Sequence, residues 1–174
     1  MSQLDPMANF NLLVSTGRGL EGRCISSMRV FISRGGMEIE AWKSPFSGLI
    51  LARVGVPREV VAYVRDLLEE EPWHNDLVKR VVPVDRVVPL RQDDIVRAAD
   101  ELRVAMDPDP SWTFRVRVRK RDADLDRIGL VVAIAELFCN PVDLGTPDFE
   151  LRVELLRTSA GVSLIRRGEI FPDL

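Results

Sequence analysis

Hydrophobic residues recur with different periods along the first half of the chain, and each change of period marks a predicted element. Short apolar runs predict strands at 10–14 and 49–54, and weak alternation predicts another at 37–42. Helical spacing predicts helices over 20–33 and from Pro57, a residue favoured in the first turn. The stretch 77–90 is rich in valine, and Pro83 and Pro89 predict an edge strand or a strand broken by a bulge. The order βαββαβ is typical of a ferredoxin-like domain.

The second half of the chain combines helical and strand patterns. Helical spacing predicts helices over 93–106 and 124–138, which end at proline-containing turns. Alternation of apolar with charged residues, or a short apolar run, predicts strands at 112–121, 149–155 and 161–165. The sequence therefore predicts an α+β protein with two domains, residues 1–91 and residues 92–174.

The predicted strand 112–121 has the most unusual charge pattern in the chain. Its basic residues largely alternate with apolar ones, and no acidic residue occurs between Ser111 and Arg121. The basic side chains are Arg115, Arg117, Arg119, Lys120 and Arg121. In a strand, this alternation gives one apolar face and one face of guanidinium groups. An ordinary solvated sheet face tolerates arginine, but a run of one sign favours an anionic partner such as a nucleic-acid backbone.

Composition limits the classes of function. The 174 residues are 46% hydrophobic and 29% charged, as in globular proteins, and their formal net charge is −3. Any nucleic-acid binding therefore depends on a local cluster of charge. Cys24 and Cys139 form neither a CxxC pair nor a zinc site, so we expect buried, reduced thiols. No apolar run approaches the roughly 20 residues of a membrane span, and residues 1–6 do not resemble a signal peptide, so we expect a cytoplasmic protein.

A glycine-rich turn raises the alternative of a nucleotide-binding enzyme. Residues 17–22, Gly-Arg-Gly-Leu-Glu-Gly, have the G-x-G-x-x-G spacing of dinucleotide sites and lie between a predicted strand and a helix. The opening strand is short and the next two strands predict a hairpin, which disfavours a dinucleotide-binding fold. A tight turn explains the same residues, as does a phosphate contact of Arg18 at the helix N-terminus. His74 has no readable catalytic partner, and we predict no catalytic residue, metal or cofactor.

Several short segments, weak alone, share their order and spacing with a known family. In the first half they are residues 11–22, 57–61, 67–71 and 80–84. In the second half they are residues 113–121, Val142-Asp143-Leu144, Pro147-Asp148, 151–154 and 161–164. Together these segments resemble the THUMP proteins related to the yeast tRNA acetylation factor Tan, from about Phe10 to Ile170. The resemblance implies a ferredoxin-like N-terminal domain followed by an α/β THUMP domain.

The resemblance also implies a function. THUMP domains bind RNA, typically the acceptor 3′ end of tRNA, and position another active site over it. Family members of the stand-alone type present tRNA to a separate RNA acetyltransferase that makes acetylcytidine. We expect the same adaptor role here, without catalytic activity, because the chain stops at Leu174 with no room for an enzyme domain. Alternatives are a partner of another tRNA-modifying enzyme, such as a methyltransferase or thiolase, and a module whose arginines meet an acidic protein.

The candidate binding residues divide into two groups. The resemblance implies RNA contacts for the basic residues of the matching strand, which are Arg115, Arg117, Arg119, Lys120 and Arg121. Weaker candidates lie elsewhere in the chain, and these are Arg18, Arg166 and Arg167.

Overall fold

The computed structural model describes residues 5–174, which form two compact units of mixed α and β structure. The N-terminal unit comprises residues 5–84 with Gly168–Asp173, and the second unit comprises Asp85–Arg167 with Leu174. The units therefore divide at 84/85, whereas the sequence pattern suggested a division at 91/92. The first four residues of the N-terminus, where no signal peptide was expected, lie outside the described residues.

The N-terminal unit has the ferredoxin-like arrangement that the sequence predicts. Its elements are β1 (Leu12–Ser15), α1 (Glu21–Arg34), β2 (Ile39–Lys43), β3 (Leu49–Val54), α2 (Pro57–Glu70), a short 3-10 helix (Pro72–Asp76) and β4 (Arg80–Pro83). The sheet order is β2-β3-β1-β4, and every neighbouring pair is antiparallel. Residues at helical spacing on α1 and α2, such as Met28, Ile32 and Val64, pack against one sheet face and form the core.

The stretch 77–90 forms two strands rather than the single edge or bulged strand that the sequence predicts. β4 belongs to the N-terminal sheet, whereas β5 (Arg86–Pro89) pairs with another strand in the second unit. The backbone changes sheets between Val84, whose N–H donates to Asn11 O, and Asp85, whose N–H donates to Val162 O. Local sequence could not show this, because the two halves of the stretch pair with strands remote in sequence.

The last residues of the chain pack against the N-terminal unit. Phe171 exchanges two backbone hydrogen bonds with Val81 of β4, at 2.8 and 3.0 Å. The Arg65 guanidinium donates from Nη2 to Gly168 O at 2.6 Å and to Ile170 O at 3.0 Å. The N-terminal unit is therefore built from two separate stretches of sequence.

The second unit contains α3 (Gln92–Met106), β6 (Phe114–Lys120), α4 (Arg127–Ala135), β7 (Phe149–Leu155) and β8 (Ser159–Arg166) in addition to β5. Its sheet order is β5-β8-β7-β6, with β6 and β7 parallel and the other pairs antiparallel. The parallel pair requires a crossover connection, which α4 provides. α4 begins later than the predicted 124, because the Asp126 carboxylate caps its start by accepting from Ile128 N, and it ends at Ala135 rather than at 138.

The helices α3 and α4 pack on one face of this sheet and bury its apolar residues. Phe114, Phe138 and Phe149 pack together in this core, with ring centroids 4.8 to 5.7 Å apart. Cys24 is buried in the N-terminal unit as predicted. Cys139, however, is exposed, because the preceding Phe138 takes the position in the core.

Candidate nucleic-acid interface

The register of β6 against β7 determines the surroundings of the arginine strand. Its partners are Arg115 with Glu150, Arg117 with Arg152, and Arg119 with Glu154. These side chains occupy the sheet face opposite the phenylalanine core, because alternate residues of a strand point to opposite faces. Acidic residues are absent from 111–121, but β7 supplies two of them directly alongside.

Glu150 is fully buried and holds arginines from both strands. Its Oε2 atom lies 2.5 Å from Arg115 Nε and 3.3 Å from Arg117 Nε, while its Oε1 atom lies 3.0 Å from Arg152 Nη1. The Arg115 side chain is only 12% exposed, whereas that of Arg117 is 43% exposed. Arg115 is therefore held in the structure by Glu150, and Arg117 still reaches solvent.

Glu154 anchors the other end of the same face. It accepts from Arg152 Nε at 2.8 Å and forms an ion pair with Arg121 Nη1. Burial alone would raise the pKa of Glu154, but the charges of Arg152 and Arg121 outweigh it and hold that pKa below its ordinary value. Buried Arg152 thus bridges the two glutamates, and its Nη2 atom has no hydrogen-bond partner within residues 5–174.

Arg119 is the arginine of β6 with the fewest hydrogen bonds and ion pairs among the described residues. Its side chain is exposed and forms no hydrogen bond or close ion pair with the described residues. Partial desolvation lowers the pKa of Arg119, and the nearby cations Arg121, Arg152 and Arg117 lower it further against the attraction of Glu154. A guanidinium surrounded by like charges gains more from an incoming anion than one already paired with a carboxylate.

The sequence predicted a strand face on which every arginine could donate to a ligand, and these contacts change that expectation. Arg115 and Arg121 are mostly buried against glutamates of β7, so the two ends of the row are structural. Arg117 and Arg119 present guanidinium groups to solvent between them. The signal for this pairing was the alternation of Glu150, Arg152 and Glu154 with apolar residues, but the sequence does not show which strands are neighbours.

The remaining basic candidates lie in three different settings. Lys120 is exposed and donates to Leu125 O at 3.1 Å. Arg166 is exposed at the end of β8, with its guanidinium carbon 5.3 Å from the centroid of the Trp112 ring. Arg167 donates from Nε to Pro147 O at 2.9 Å and from Nη2 to Thr146 O. These residues and the β6 arginines all belong to the second unit.

Arg18 lies in the N-terminal unit, on the glycine-rich turn. Its side chain is exposed and has no hydrogen-bond or ion-pair partner among the described residues. The Glu21 carboxylate already occupies the start of α1, where it accepts from Gly48 N at 2.6 Å. This hydrogen bond lowers the pKa of Glu21, so a negative charge is held where a bound phosphate would lie.

The surroundings of the turn do not match a dinucleotide site. β1, which enters the turn, is flanked by β3 and β4, and both neighbours are antiparallel to it. Dinucleotide sites lie at a switch point between parallel strands, which this sheet lacks in the described residues. The turn is therefore best explained as a structural connection, with Gly19 at φ +78°.

The single histidine and the metal-binding residue types were the remaining candidates for a site in the described chain. His74 Nε2 lies 2.9 Å from Glu71 Oε2, and the His74 ring packs against Phe31 at 4.7 Å, so its contacts are structural. Residues 5–174 contain no group of three or more His, Cys, Asp or Glu side chains placed to hold a metal ion. Of the helices formed by these residues, none combines the length and apolarity that crossing a membrane requires.

Comparison with solved structures shows a shared fold at low sequence identity. PH1313 from Pyrococcus horikoshii has 16% identity and a TM-score of 0.66, over 91% of this chain and 55% of that one. TrmN from Thermus thermophilus has 19% identity and a TM-score of 0.58, over 90% of this chain and 45% of that one. A 4-thiouridine synthetase, solved as an RNA complex with bound ATP, has 13% identity and a TM-score of 0.54, over 91% and 42%. The chain thus spans about half the length of these proteins.

Comparison of sequences identifies the second unit. No curated protein matches the chain significantly. Residues 91–165, however, match the THUMP domain family, and this range lies within the unit Asp85–Arg167 that carries the β6 arginines. The second half of this chain therefore contains a THUMP domain.

Proposed function

We propose that this chain binds tRNA through its THUMP unit and presents it to a separate RNA cytidine acetyltransferase. The observation that carries the proposal is the THUMP match over residues 91–165, since THUMP domains bind RNA. The 4-thiouridine synthetase that shares the fold was solved with RNA. The acetyltransferase partner follows from the resemblance to the Tan-like proteins.

Local electrostatics support an anionic partner for this unit. The paired face of β6 and β7 contains five arginines and two glutamates, an excess of three positive charges in a chain whose net charge is −3. The buried glutamates fix the arginines at both ends of the face, which limits the conformational freedom of the strand between them. Glu150 also holds Arg117 at 3.3 Å, so the exposed Arg117 guanidinium is partly pre-positioned for a phosphate group and less ordering entropy is lost on binding.

Binding to two forms of one tRNA tests RNA recognition. Fluorescence anisotropy would measure the affinity of the protein for an intact tRNA and for the same tRNA without its unpaired 3′ end. We expect removal of the 3′ end to weaken binding by about tenfold or more, equivalent to about 1.4 kcal/mol. Equal affinities would place the contact elsewhere on the tRNA, and absence of binding to both would contradict the proposed function.

A second experiment tests the adaptor role. Purified protein, tRNA and acetyl-coenzyme A should yield no acetylcytidine by mass spectrometry, and addition of an RNA cytidine acetyltransferase should produce it. The control is the acetyltransferase without this protein, which should act more slowly on the same tRNA. Acetylcytidine formed by this protein alone would show that it is an enzyme.

A second candidate function is partnership with a tRNA methyltransferase or thiolase. It is favoured by the fold shared with TrmN and with the 4-thiouridine synthetase. Nucleoside analysis of tRNA from cells that lack this protein distinguishes the candidates. Loss of acetylcytidine supports the first, whereas loss of a methylated or thiolated nucleoside supports the second.

A further inference from the structure

The loop between α4 and β7 presents two apolar side chains to solvent. The last eight residues of this connection, Pro141 to Asp148, are called the 141–148 loop. Val142 is 62% exposed and Leu144 is 75% exposed. Single exposed hydrophobic residues are common in proteins, so exposure alone carries no meaning. The hydrogen bonds that hold this loop, however, indicate a more specific role for Val142 and Leu144.

The backbone that carries Val142 and Leu144 is tied to β6 and to itself. Phe114 N donates to Pro141 O at 2.9 Å, and Asp143 N donates to Phe114 O at 3.0 Å. The Asp143 carboxylate accepts from Gly145 N at 2.9 Å and from Thr146 N at 3.0 Å. These backbone hydrogen bonds lower the pKa of Asp143. The side chains of Val142 and Leu144 are therefore exposed on a loop whose backbone is held by hydrogen bonds.

Two guanidinium groups hold the same loop. Arg115 donates from Nη1 to Leu144 O at 3.2 Å. On the other side, Arg167 donates to the carbonyl groups of Thr146 and Pro147. Arg167 forms no ion pair with a carboxylate within 4.0 Å among the described residues, although its positive charge contributes to the lowered pKa of Asp143 in the same loop. Leu144 is thus exposed on a loop whose carbonyl groups accept hydrogen bonds from Arg115 and Arg167.

This combination suits one chemical class of ligand. Apolar side chains contact the face of an unpaired base, and neighbouring guanidinium groups attract the phosphate that follows it. An RNA strand has both features, a base face that is apolar and phosphates that guanidinium groups attract, and this is the unit for which we propose RNA binding. The carbonyl groups of residues 144, 146 and 147 already accept from arginines, which favours contact with a base face over recognition of its edge.

We propose that Val142 and Leu144 form an apolar contact for an unpaired nucleobase of bound RNA. In this arrangement, Arg115 positions the loop, and Arg167 positions it while adding positive charge near the adjacent phosphate. This inference rests on the proposed function and adds a base contact that the arginine strand by itself does not provide.

The test compares two matched variants on three RNAs. Leu144→Ser removes the proposed contact, and Ile128→Ser is the control, because Ile128 is 76% exposed on α4 of the same unit. The RNAs are an intact tRNA, the same tRNA with abasic nucleotides in its 3′ tail, and the tRNA without the tail. Circular dichroism and thermal melting confirm that both variants are folded.

The proposal makes a specific prediction for these affinities. Leu144→Ser should weaken binding of the intact tRNA by about fivefold, the low end of the range for a base stacked on an aromatic side chain. On the abasic and tailless RNAs it should bind like the wild type, and Ile128→Ser should match the wild type on all three. Val142→Ser should show the same selectivity as Leu144→Ser.

Three results would overturn the proposal. If the wild type binds tRNA but Leu144→Ser and Ile128→Ser behave alike, the loop contact is wrong and the proposed function stands. If the effect of Leu144→Ser persists on the abasic RNA, the leucine does not contact a base. If the wild type binds none of the RNAs, the proposed function fails together with this inference.

Discussion

Arg115 Nε lies 2.5 Å from Glu150 Oε2, although the two residues are 35 positions apart in the sequence. This pair joins the edge strand of the THUMP sheet to its buried neighbour. The same carboxyl group also holds Arg117 and Arg152. Glu150 therefore organises the arginine face more than any residue of the arginine strand itself.

The first prediction concerns the stability of this face. Glu150→Gln leaves Arg115 and Arg152 buried without their carboxylate, and loss of one partner from a buried ion pair costs about 3 kcal/mol or more. Chemical denaturation should show that decrease in the free energy of unfolding. The control is Arg157→Gln at the exposed pair with Asp122, where we expect a change below about 1 kcal/mol. Similar changes in both variants would contradict this account.

The second prediction concerns acid denaturation. Because the pKa of Glu154 is lowered in the folded protein, its ionised form stabilises the fold above its ordinary pKa of about 4.5, and this stability is lost as the pH falls through the folded value. Glu154→Gln should therefore reduce the dependence of unfolding free energy on pH below about 4.5. Denaturation curves at several pH values measure this slope. Parallel slopes for variant and wild type would exclude Glu154 as a contributor.

The third prediction concerns the exposed part of the arginine strand. Arg117→Ala should weaken tRNA binding and flatten the dependence of log affinity on log salt by about 0.7, the value for one phosphate of a single strand. Folding should survive, because Glu150 retains Arg115 and Arg152 as partners. Titrations at several salt concentrations compare this variant with the control Arg157→Ala. If Arg117→Ala has the wild-type slope while Arg166→Ala or Arg18→Ala changes it, the binding surface lies elsewhere.

The fourth prediction compares two costs of replacing glycine by alanine, which are backbone strain at positive φ and a steric clash of the added β-carbon. Gly19 and Gly48 have similar positive φ values of +78° and +76°, so alanine is strained at both positions. At Gly48 the added β-carbon would also lie 2.7 Å from Thr16 O, whereas at Gly19 it would meet nothing within 4 Å. Gly19→Ala should cost about 1 kcal/mol and Gly48→Ala clearly more. Equal melting temperatures for the two variants would show that the loop relaxes around the new methyl group.

The fifth prediction concerns the two thiols. Burial raises the pKa of Cys24 to about 11, partly offset by the Thr16 hydroxyl, so this thiol stays protonated at neutral pH. Cys139 is exposed. Iodoacetamide at pH 8 should alkylate Cys139 first, because the thiolate is the reactive form and access is required. Peptide mass spectrometry identifies the modified residue, with denatured protein as the control in which both react.

Much of the secondary structure could be predicted from local patterns. The helix predicted over 20–33 is confirmed as Glu21–Arg34, and that over 93–106 is confirmed as Gln92–Met106. Helical spacing and strand alternation depend on residues close together in the chain, so they can be recognised in a single sequence. The ferredoxin-like order of elements followed from the same patterns.

Tertiary pairing decided the role of the charged residues. The sequence by itself determined that β6 has an apolar face and an arginine face, because that alternation is local. Only the parallel pairing of β6 with β7 showed that Glu150 and Glu154 hold the ends of the row and leave Arg117 and Arg119 exposed. The pairing of strands, the division of 77–90 between two sheets and the cation-braced 141–148 loop all depend on residues distant in the chain. Such contacts arise from packing and hydrogen bonding of the folded chain, which local periodicity does not encode.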